Sequence, residues 1–266
     1  MREAEGLWGT EPTAPAPEPL PIRRIMETLD RDLERRDEAA GERHLRYWLA
    51  EAQANGDRRG ELAVRNELVG FYRKTGRREE ALTAGEETLA LLDALDYEGT
   101  VTAGTTLVNC ATAFSAFGEN TRALALFQRA RAAYEAHGET PPELLGGLYN
   151  NMGLACTALG RPEEALAHYT RALAQMERVP GGEPERAITC LNMADAVEAQ
   201  DGPEAGERRI AALVEEAASL LHTPSIPRDG YYAFVCEKCA PSFAYYGYFL
   251  EAEQLKAAAE AIHANA

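Results

Sequence analysis

The amino-acid sequence predicts an all-α protein, a solenoid of about six antiparallel helix pairs. Glycines recur at a constant interval of 42 residues, and three of them begin closely related heptapeptides, GRREEAL, GENTRAL and GRPEEAL. Small and apolar residues around these glycines follow helical spacing, and strand-like alternation is absent from the sequence. The glycines at this interval are Gly76, Gly118, Gly160 and Gly202.

The residues that flank each glycine predict two closely packed helices. Gly153 lies seven residues before Gly160, and Ala165, Tyr169 and Ala172 follow it. Because the last three are separated by four and three residues, they share one helix face. Small residues on that face allow two antiparallel helices to approach closely, and Gly160 allows the short turn between them to adopt a positive φ.

This pattern resembles the tetratricopeptide repeat, in a 42-residue form that looks like the repeats of kinesin light chains. The resemblance is clearest in Tyr149–Gly153 and the residues that follow it, and it extends over roughly residues 22 to 264. It implies a right-handed superhelix in which the first helix of each pair lines a concave groove. It also implies a scaffold that binds a protein or peptide there.

The chain divides into an N-terminal tail and one repeat domain. Residues 1–21 contain five prolines between Pro12 and Pro21, and we predict that they form a disordered, partly extended tail. Residues 22–264 form the predicted repeat domain. Removal of residues 1 to 20 is therefore expected to leave the melting temperature nearly unchanged.

The predicted helix pairs follow in order along the domain. The first, at residues 22–36 and 38–55, matches the pattern poorly, as terminal capping repeats do. The next three surround the first three glycines of the series. In the fifth pair the pattern of the first helix is displaced by one residue relative to Gly202. The sixth pair surrounds Gly247. Turn-forming residues separate elements at 55–56, 138–142, 180–184 and 224–230.

Composition and charge exclude several functional classes. The formal net charge is −16, from 43 acidic and 27 basic residues, which argues against a broad basic surface for nucleic acid. No apolar run is long enough for a transmembrane helix, and the N-terminus has no apolar export signal, so we expect a cytoplasmic protein that binds no membrane. No motif predicts a catalytic site, a cofactor or a metal, so we expect no enzyme.

Asparagines at equivalent places in successive repeats are the first candidate site. Asn109 and Asn151 each lie nine residues before a repeat glycine, and Asn192 takes the matching place in the slipped fifth repeat. Glu67 and Lys238 take it in the second and last repeats. The resemblance places this position in the concave groove. An amide both donates and accepts hydrogen bonds, so these side chains can hold a peptide backbone, or they can bond between helices and stabilise the groove.

Three neighbours complete the predicted groove. Asn150 adjoins Asn151, and Lys238 is suited to a carboxylate of the ligand. Arg73 lies late on the first helix of the second repeat, where it either faces the groove or offsets the dipole of that helix. The groove of chaperone cofactors that clamp acidic tails needs several basic residues, and the corresponding helices here are mostly neutral.

Cys236 and Cys239 form a C-x-x-C pair that admits a redox, metal or structural interpretation. The redox motif belongs to a strand-to-helix junction, and no such context is predicted here. A zinc site needs four ligands, and the sequence offers no second pair at a matching spacing. We therefore interpret both cysteines as packing residues, with redox or metal chemistry as the alternative.

Aromatic residues are concentrated near the C-terminus. Eight lie between Tyr231 and Phe249, out of 20 in the chain. Part of this cluster must form the core of the last helix pair. The remainder is either additional core, which we favour, or an exposed patch that contacts a partner or a second copy of the chain. Self-association through the 231–249 region is the alternative to peptide binding.

Overall fold

The computed structural model describes residues 19–35 and 37–264, and this part of the chain is helical without strands. Twelve helices follow one another, so the predicted all-α solenoid of six helix pairs is confirmed. They are α1 (Ile22–Glu34), α2 (Glu38–Asn55), α3 (Arg58–Lys74), α4 (Arg78–Asp93), α5 (Val101–Ala116), α6 (Asn120–His137), α7 (Pro142–Ala158), α8 (Pro162–Met176), α9 (Glu183–Asp201), α10 (Pro203–Leu221), α11 (Gly230–Tyr245) and α12 (Phe249–Ala264).

The helices form two rows. Each odd-numbered helix packs against the even-numbered helix that follows it, and odd-numbered helices also pack against each other along the array. The last pair is attached mainly through α11, which packs against α9. We use the term groove for the face of the odd-numbered helices that the even-numbered helices leave uncovered.

Glycines with positive φ end the first helix of the central pairs. Gly76, Gly118 and Gly160 have φ of 71°, 86° and 69°. This left-handed conformation is costly for residues with a Cβ atom, so the repeated glycine is the residue that the turn requires. The turns lie where the sequence predicts them.

Aromatic rings from one helix fill the space beside small residues of another. A Cβ atom at Gly153 of α7 would lie 2.3 Å from the Tyr169 ring of α8, and one at Gly85 would lie 2.9 Å from the Phe114 ring. Ala165 is buried beside this contact, whereas Ala167 on the same helix is exposed. The helix faces therefore match the predicted repeat frame.

The N-terminal boundary of the packed structure differs from the predicted one. The prediction of a disordered tail concerns mainly residues 1–18, which lie outside the described residues. Leu20, however, is buried, and its backbone N–H donates to Oδ2 of buried Asp57 at 2.9 Å. Oδ1 of Asp57 accepts from the Gly60 N–H at 2.8 Å and caps α3. The last residues of the predicted tail thus pack against the second pair.

Candidate functional site

The groove has a largely neutral floor in its centre. Thr105 of α5 and Gly147 and Leu154 of α7 are exposed there, and asparagine side chains lie between them. No basic side chain of the described α5 and α7 contributes to this floor, because neither helix contains lysine, arginine or histidine. The centre of the groove can therefore contact a peptide backbone without selecting strongly for charge.

The three predicted asparagines are half-buried and bond to the preceding odd-numbered helix. Nδ2 of Asn109 donates to the backbone oxygen of Asn66 at 2.7 Å and to its Oδ1 at 3.1 Å. Nδ2 of Asn192 donates to Oδ1 of Asn150 at 2.9 Å, and Nδ2 of Asn151 lies 3.4 Å from Oγ1 of Thr112. The amide nitrogens thus join successive repeats, as the structural interpretation of the asparagines requires.

The oxygens of the same amides are differently placed. Within residues 19–35 and 37–264, Oδ1 of Asn109, Asn151 and Asn192 accepts no hydrogen bond. None of these oxygens is among the buried polar atoms that lack a partner, so they remain in contact with solvent. The asparagines therefore offer the groove a series of hydrogen-bond acceptors, one for each repeat.

The remaining predicted groove residues lie apart from one another. Asn150 is half-buried beside Asn192 and accepts from both Asn192 and Thr189. Arg73 lies in the last turn of α3, where burial lowers its pKa and its Nε has no partner among the described residues. Lys238 is exposed on α11, at the far end of the array.

The aromatic residues near the C-terminus divide between core and surface. Tyr232 and Phe243 are buried in the last pair, whereas Tyr231, Phe234 and Tyr245 are exposed on α11. Three hydroxyls on α11 or directly after it donate to carboxylates of α9, which fixes their rings against the neighbouring repeat. The pairs are Tyr231 with Glu185 (2.6 Å), Tyr245 with Glu198 (3.0 Å) and Tyr246 with Asp195 (2.7 Å).

The exposed aromatic residues and Lys238 share one face of α11. Tyr231, Phe234, Lys238 and Tyr245 are separated by three, four and seven residues, which is helical spacing. The rings of Tyr231 and Phe234 stack with centroids 6.1 Å apart. We call Tyr231, Phe234 and Tyr245 the aromatic wall. Tyr231 and Tyr245 donate to Glu185 and Glu198 of α9, the helix that also carries Asn192. Sequence reasoning treated the two features separately, although the spacing of the aromatic residues was available to connect them.

A cavity of about 570 Å³ opens at the other end of the groove, between α1, α3 and α5. Ile22, Met26 and Leu62 supply apolar lining, and Glu67 is among its polar residues. Three helices from successive repeats enclose it, so no local sequence motif signals its presence.

A larger cavity of about 730 Å³ lies between the end of α4 and helices α5 and α6. Alanines of α6 and Leu92 line it, and its basic residue, Arg129, is paired with Asp93 at 2.6 Å. None of the asparagines of the groove lines it. Despite its greater size, we therefore place the candidate site in the groove.

The cysteines of the C-x-x-C pair are both buried in α11. Burial raises the pKa of the Cys239 thiol to about 12 and also raises the pKa of Cys236. Both thiols are therefore protonated near neutral pH, whereas redox exchange and metal binding require a thiolate. Across the described residues, no group of three or more His, Cys, Asp or Glu side chains is placed to hold a metal ion.

In that same part of the chain, no helix is long and apolar enough to span a bilayer.

Comparison with known proteins gives matches in sequence and in fold. Residues 144–205 match the family model of the tetratricopeptide repeat. A crystal structure of nearly identical TPR-like repeats of a kinesin light chain from Podosopora anserina has a TM-score of 0.54 and 18% identity, and the match covers 77% of this chain and 95% of that one. A variant of that protein has a TM-score of 0.55 at the same identity and coverage.

A third structure, BtubC (BKLC) from P. vanneervenii, has a TM-score of 0.52 and 17% identity over 92% of each chain. No curated protein sequence matches the chain. At these identities the structural likeness concerns the fold alone, and the family match covers only residues 144–205. Residues 144–205 are thus similar to the tetratricopeptide repeat, and the chain has the fold of kinesin-light-chain TPR-like repeats.

Proposed function

We propose that this chain is a cytoplasmic scaffold, without catalytic activity, that binds an extended peptide segment of another protein along its groove. The observation that carries the proposal is the series of free acceptor oxygens on Asn109, Asn151 and Asn192. An extended peptide has backbone N–H groups without partners, and these groups are the complementary donors.

The spacing of the asparagines suits an extended ligand. Neighbouring packed helices lie about 10 Å apart, and an extended peptide advances roughly 3.3 Å per residue. One amide oxygen would therefore meet about every third peptide residue. Contacts of this kind depend on the peptide backbone, so they provide affinity and leave selectivity to the two ends of the groove.

The ends of the groove differ in chemistry. The aromatic wall on α11 offers exposed ring surface at Tyr231 and Phe234, beside Lys238. Aromatic rings bury apolar area with little loss of side-chain entropy, and they are enriched at the centres of protein interfaces. We assign apolar or aromatic peptide side chains to this end.

The test replaces Asn109, Asn151 and Asn192 together by alanine. Peptides selected from a random 12-residue display library on the parent protein are the probe, and calorimetry gives their Kd. Each lost acceptor should weaken binding by about 0.5–1.5 kcal/mol, because neutral hydrogen bonds exchange with water. Gln128 and Gln254 are exposed on even-numbered helices, and the double alanine variant at these positions is the control.

The asparagines also join repeats, so their replacement should lower the melting temperature. Binding is therefore measured well below the transition, with circular dichroism to show that the variant is folded. A folded triple variant that binds the selected peptides as tightly as the parent would place the ligand elsewhere. Equal weakening in the glutamine control would mean that the effect is not specific to the groove.

Self-association is the second candidate function. Tyr245, Phe249 and Leu250 are 69%, 67% and 70% exposed at the last helix pair. A second copy of the chain could bury this surface. Static light scattering over a range of concentrations separates the two functions, because a scaffold that binds only foreign peptides remains monomeric.

A further inference from the structure

The cavity between α1, α3 and α5 combines an apolar lining with a carboxylate. Ile22 and Met26 of α1 and Leu62 of α3 provide the apolar surface, and Thr105 of α5 lies opposite. The side chain of Glu67 points from the middle of α3 and is half-buried at this site. A volume of about 570 Å³ exceeds that of a single amino-acid side chain, so the cavity can admit one together with water.

Glu67 has no protein partner to compensate for its burial. Among residues 19–35 and 37–264, no hydrogen bond or ion pair to its carboxylate is formed. Burial raises the pKa of Glu67, Lys74 lowers it from about two turns further along α3, and Asp30 raises it. The oxygens of Glu67 are not among the buried polar atoms that lack a partner, so they contact solvent and can accept a charge-assisted hydrogen bond from a cation brought into the cavity.

The nearest other charge in the lining does not supply that cation. The guanidinium of Arg59 lies over the Tyr97 ring, 6.0 Å from its centroid. Arg59 and Glu67 are eight residues apart on α3, which corresponds to about 12 Å along the helix axis. Arg59 therefore stands at one end of the cavity and Glu67 at the other.

We propose that this cavity receives a lysine or arginine side chain of the bound peptide, with its aliphatic stem on Ile22, Met26 and Leu62 and its charged end against Glu67. The inference rests on the proposed peptide-binding function and names the ligand chemistry at one end of the groove. Lysine and arginine suit such a site because each has an apolar stem and a cationic tip.

The position of Glu67 would fix the register of the peptide. It occupies the place that Asn109, Asn151 and Asn192 occupy in later repeats and that Lys238 occupies in the last. The series therefore has one acidic position, followed by neutral ones and a basic one. Within this series a basic residue of the ligand matches the Glu67 position, and the net charge of −16 favours its approach.

The experiment uses the full chain and the same display library of random 12-residue peptides. Peptides selected on the parent should share one lysine or arginine at a fixed position. Glu67→Gln should raise the Kd of a selected peptide by about tenfold or more, because a hydrogen bond between charged groups is lost. Glu79→Gln, at an exposed position of α4, is the control and should leave Kd unchanged.

A double-mutant cycle identifies the contact. When the shared lysine of the peptide is replaced by norleucine, Glu67→Gln should have no further effect on Kd. Selected peptides that lack a fixed basic residue, or that bind Glu67→Gln as tightly as the parent, would overturn the inference. If the asparagine triple variant still binds those peptides with a higher Kd than the parent does, the proposed function survives and only the basic pocket is rejected. A library that yields no binder rejects both.

Discussion

Replacement of Tyr169 by alanine is expected to lower the free energy of unfolding by about 3–5 kcal/mol, the range for removal of a large buried aromatic side chain. Tyr169 of α8 is fully buried against α7 and is the largest fully buried side chain among the described residues. Its ring lies against Gly153, so the deletion removes the group that fills the space between the two helices. The cavity left between α7 and α8 would lie in the middle of the array. The two helices cannot close it without shifting the neighbouring helix pairs.

Urea denaturation followed by circular dichroism measures this loss, and Tyr169→Phe is the control. The phenylalanine variant keeps the ring and removes only the hydroxyl, whose partner is Oγ1 of Thr157 at 3.3 Å. Tyr169→Phe should lower the free energy of unfolding by about 1 kcal/mol or less. If both variants lose the same stability, the hydroxyl rather than the ring would be the stabilising group, contrary to the packing argument.

Gly153→Ala is expected to destabilise the protein by about 1–3 kcal/mol, although alanine is the better helix former by about 1 kcal/mol. The added Cβ would lie 2.3 Å from the Tyr169 ring, which is too close for an unaltered packing arrangement. Gly147→Ala in the same helix is the matched control. No atom lies within 4 Å of its added Cβ, so this variant should be more stable than the parent by up to about 1 kcal/mol.

A double-mutant cycle tests the cause. In a Tyr169→Leu background the smaller side chain leaves room beside residue 153, so Gly153→Ala should cost less than it does in the parent. Thermal unfolding of the four proteins gives the coupling energy. Equal costs in both backgrounds would mean that the glycine is required for the backbone of α7 and not for its contact with Tyr169.

The fold could be predicted because its determinants lie close together in the sequence. Gly160 specifies a turn with positive φ, and Ala165 and Tyr169 define a helix face through their spacing. Each of these signals acts within one helix pair. Their repetition at 42 residues then fixes the architecture, because a repeat that packs on the next identical repeat has few alternatives.

The sequence predicted less about the candidate site than about the fold. The pattern predicts that Asn109, Asn151 and Asn192 take equivalent positions, but it leaves open whether their amides face the ligand or the next helix. In the structure the nitrogens bond across repeats and the oxygens remain free. The bonds of the nitrogens fit the structural interpretation, and ligand binding by the oxygens remains the proposal made above.

The sequence by itself determined the helices, their turns and the positions of the small residues at which helices approach closely. Tertiary structure alone decided that Leu20 packs against the second pair, that the tyrosines of α11 bond to carboxylates of α9, and that Glu67 lines a cavity. The hydrogen bonds that join the asparagines to preceding helices span 39 to 43 residues. Their geometry depends on the offset and crossing of helices in successive repeats, which the packing of whole helices sets and no local spacing encodes.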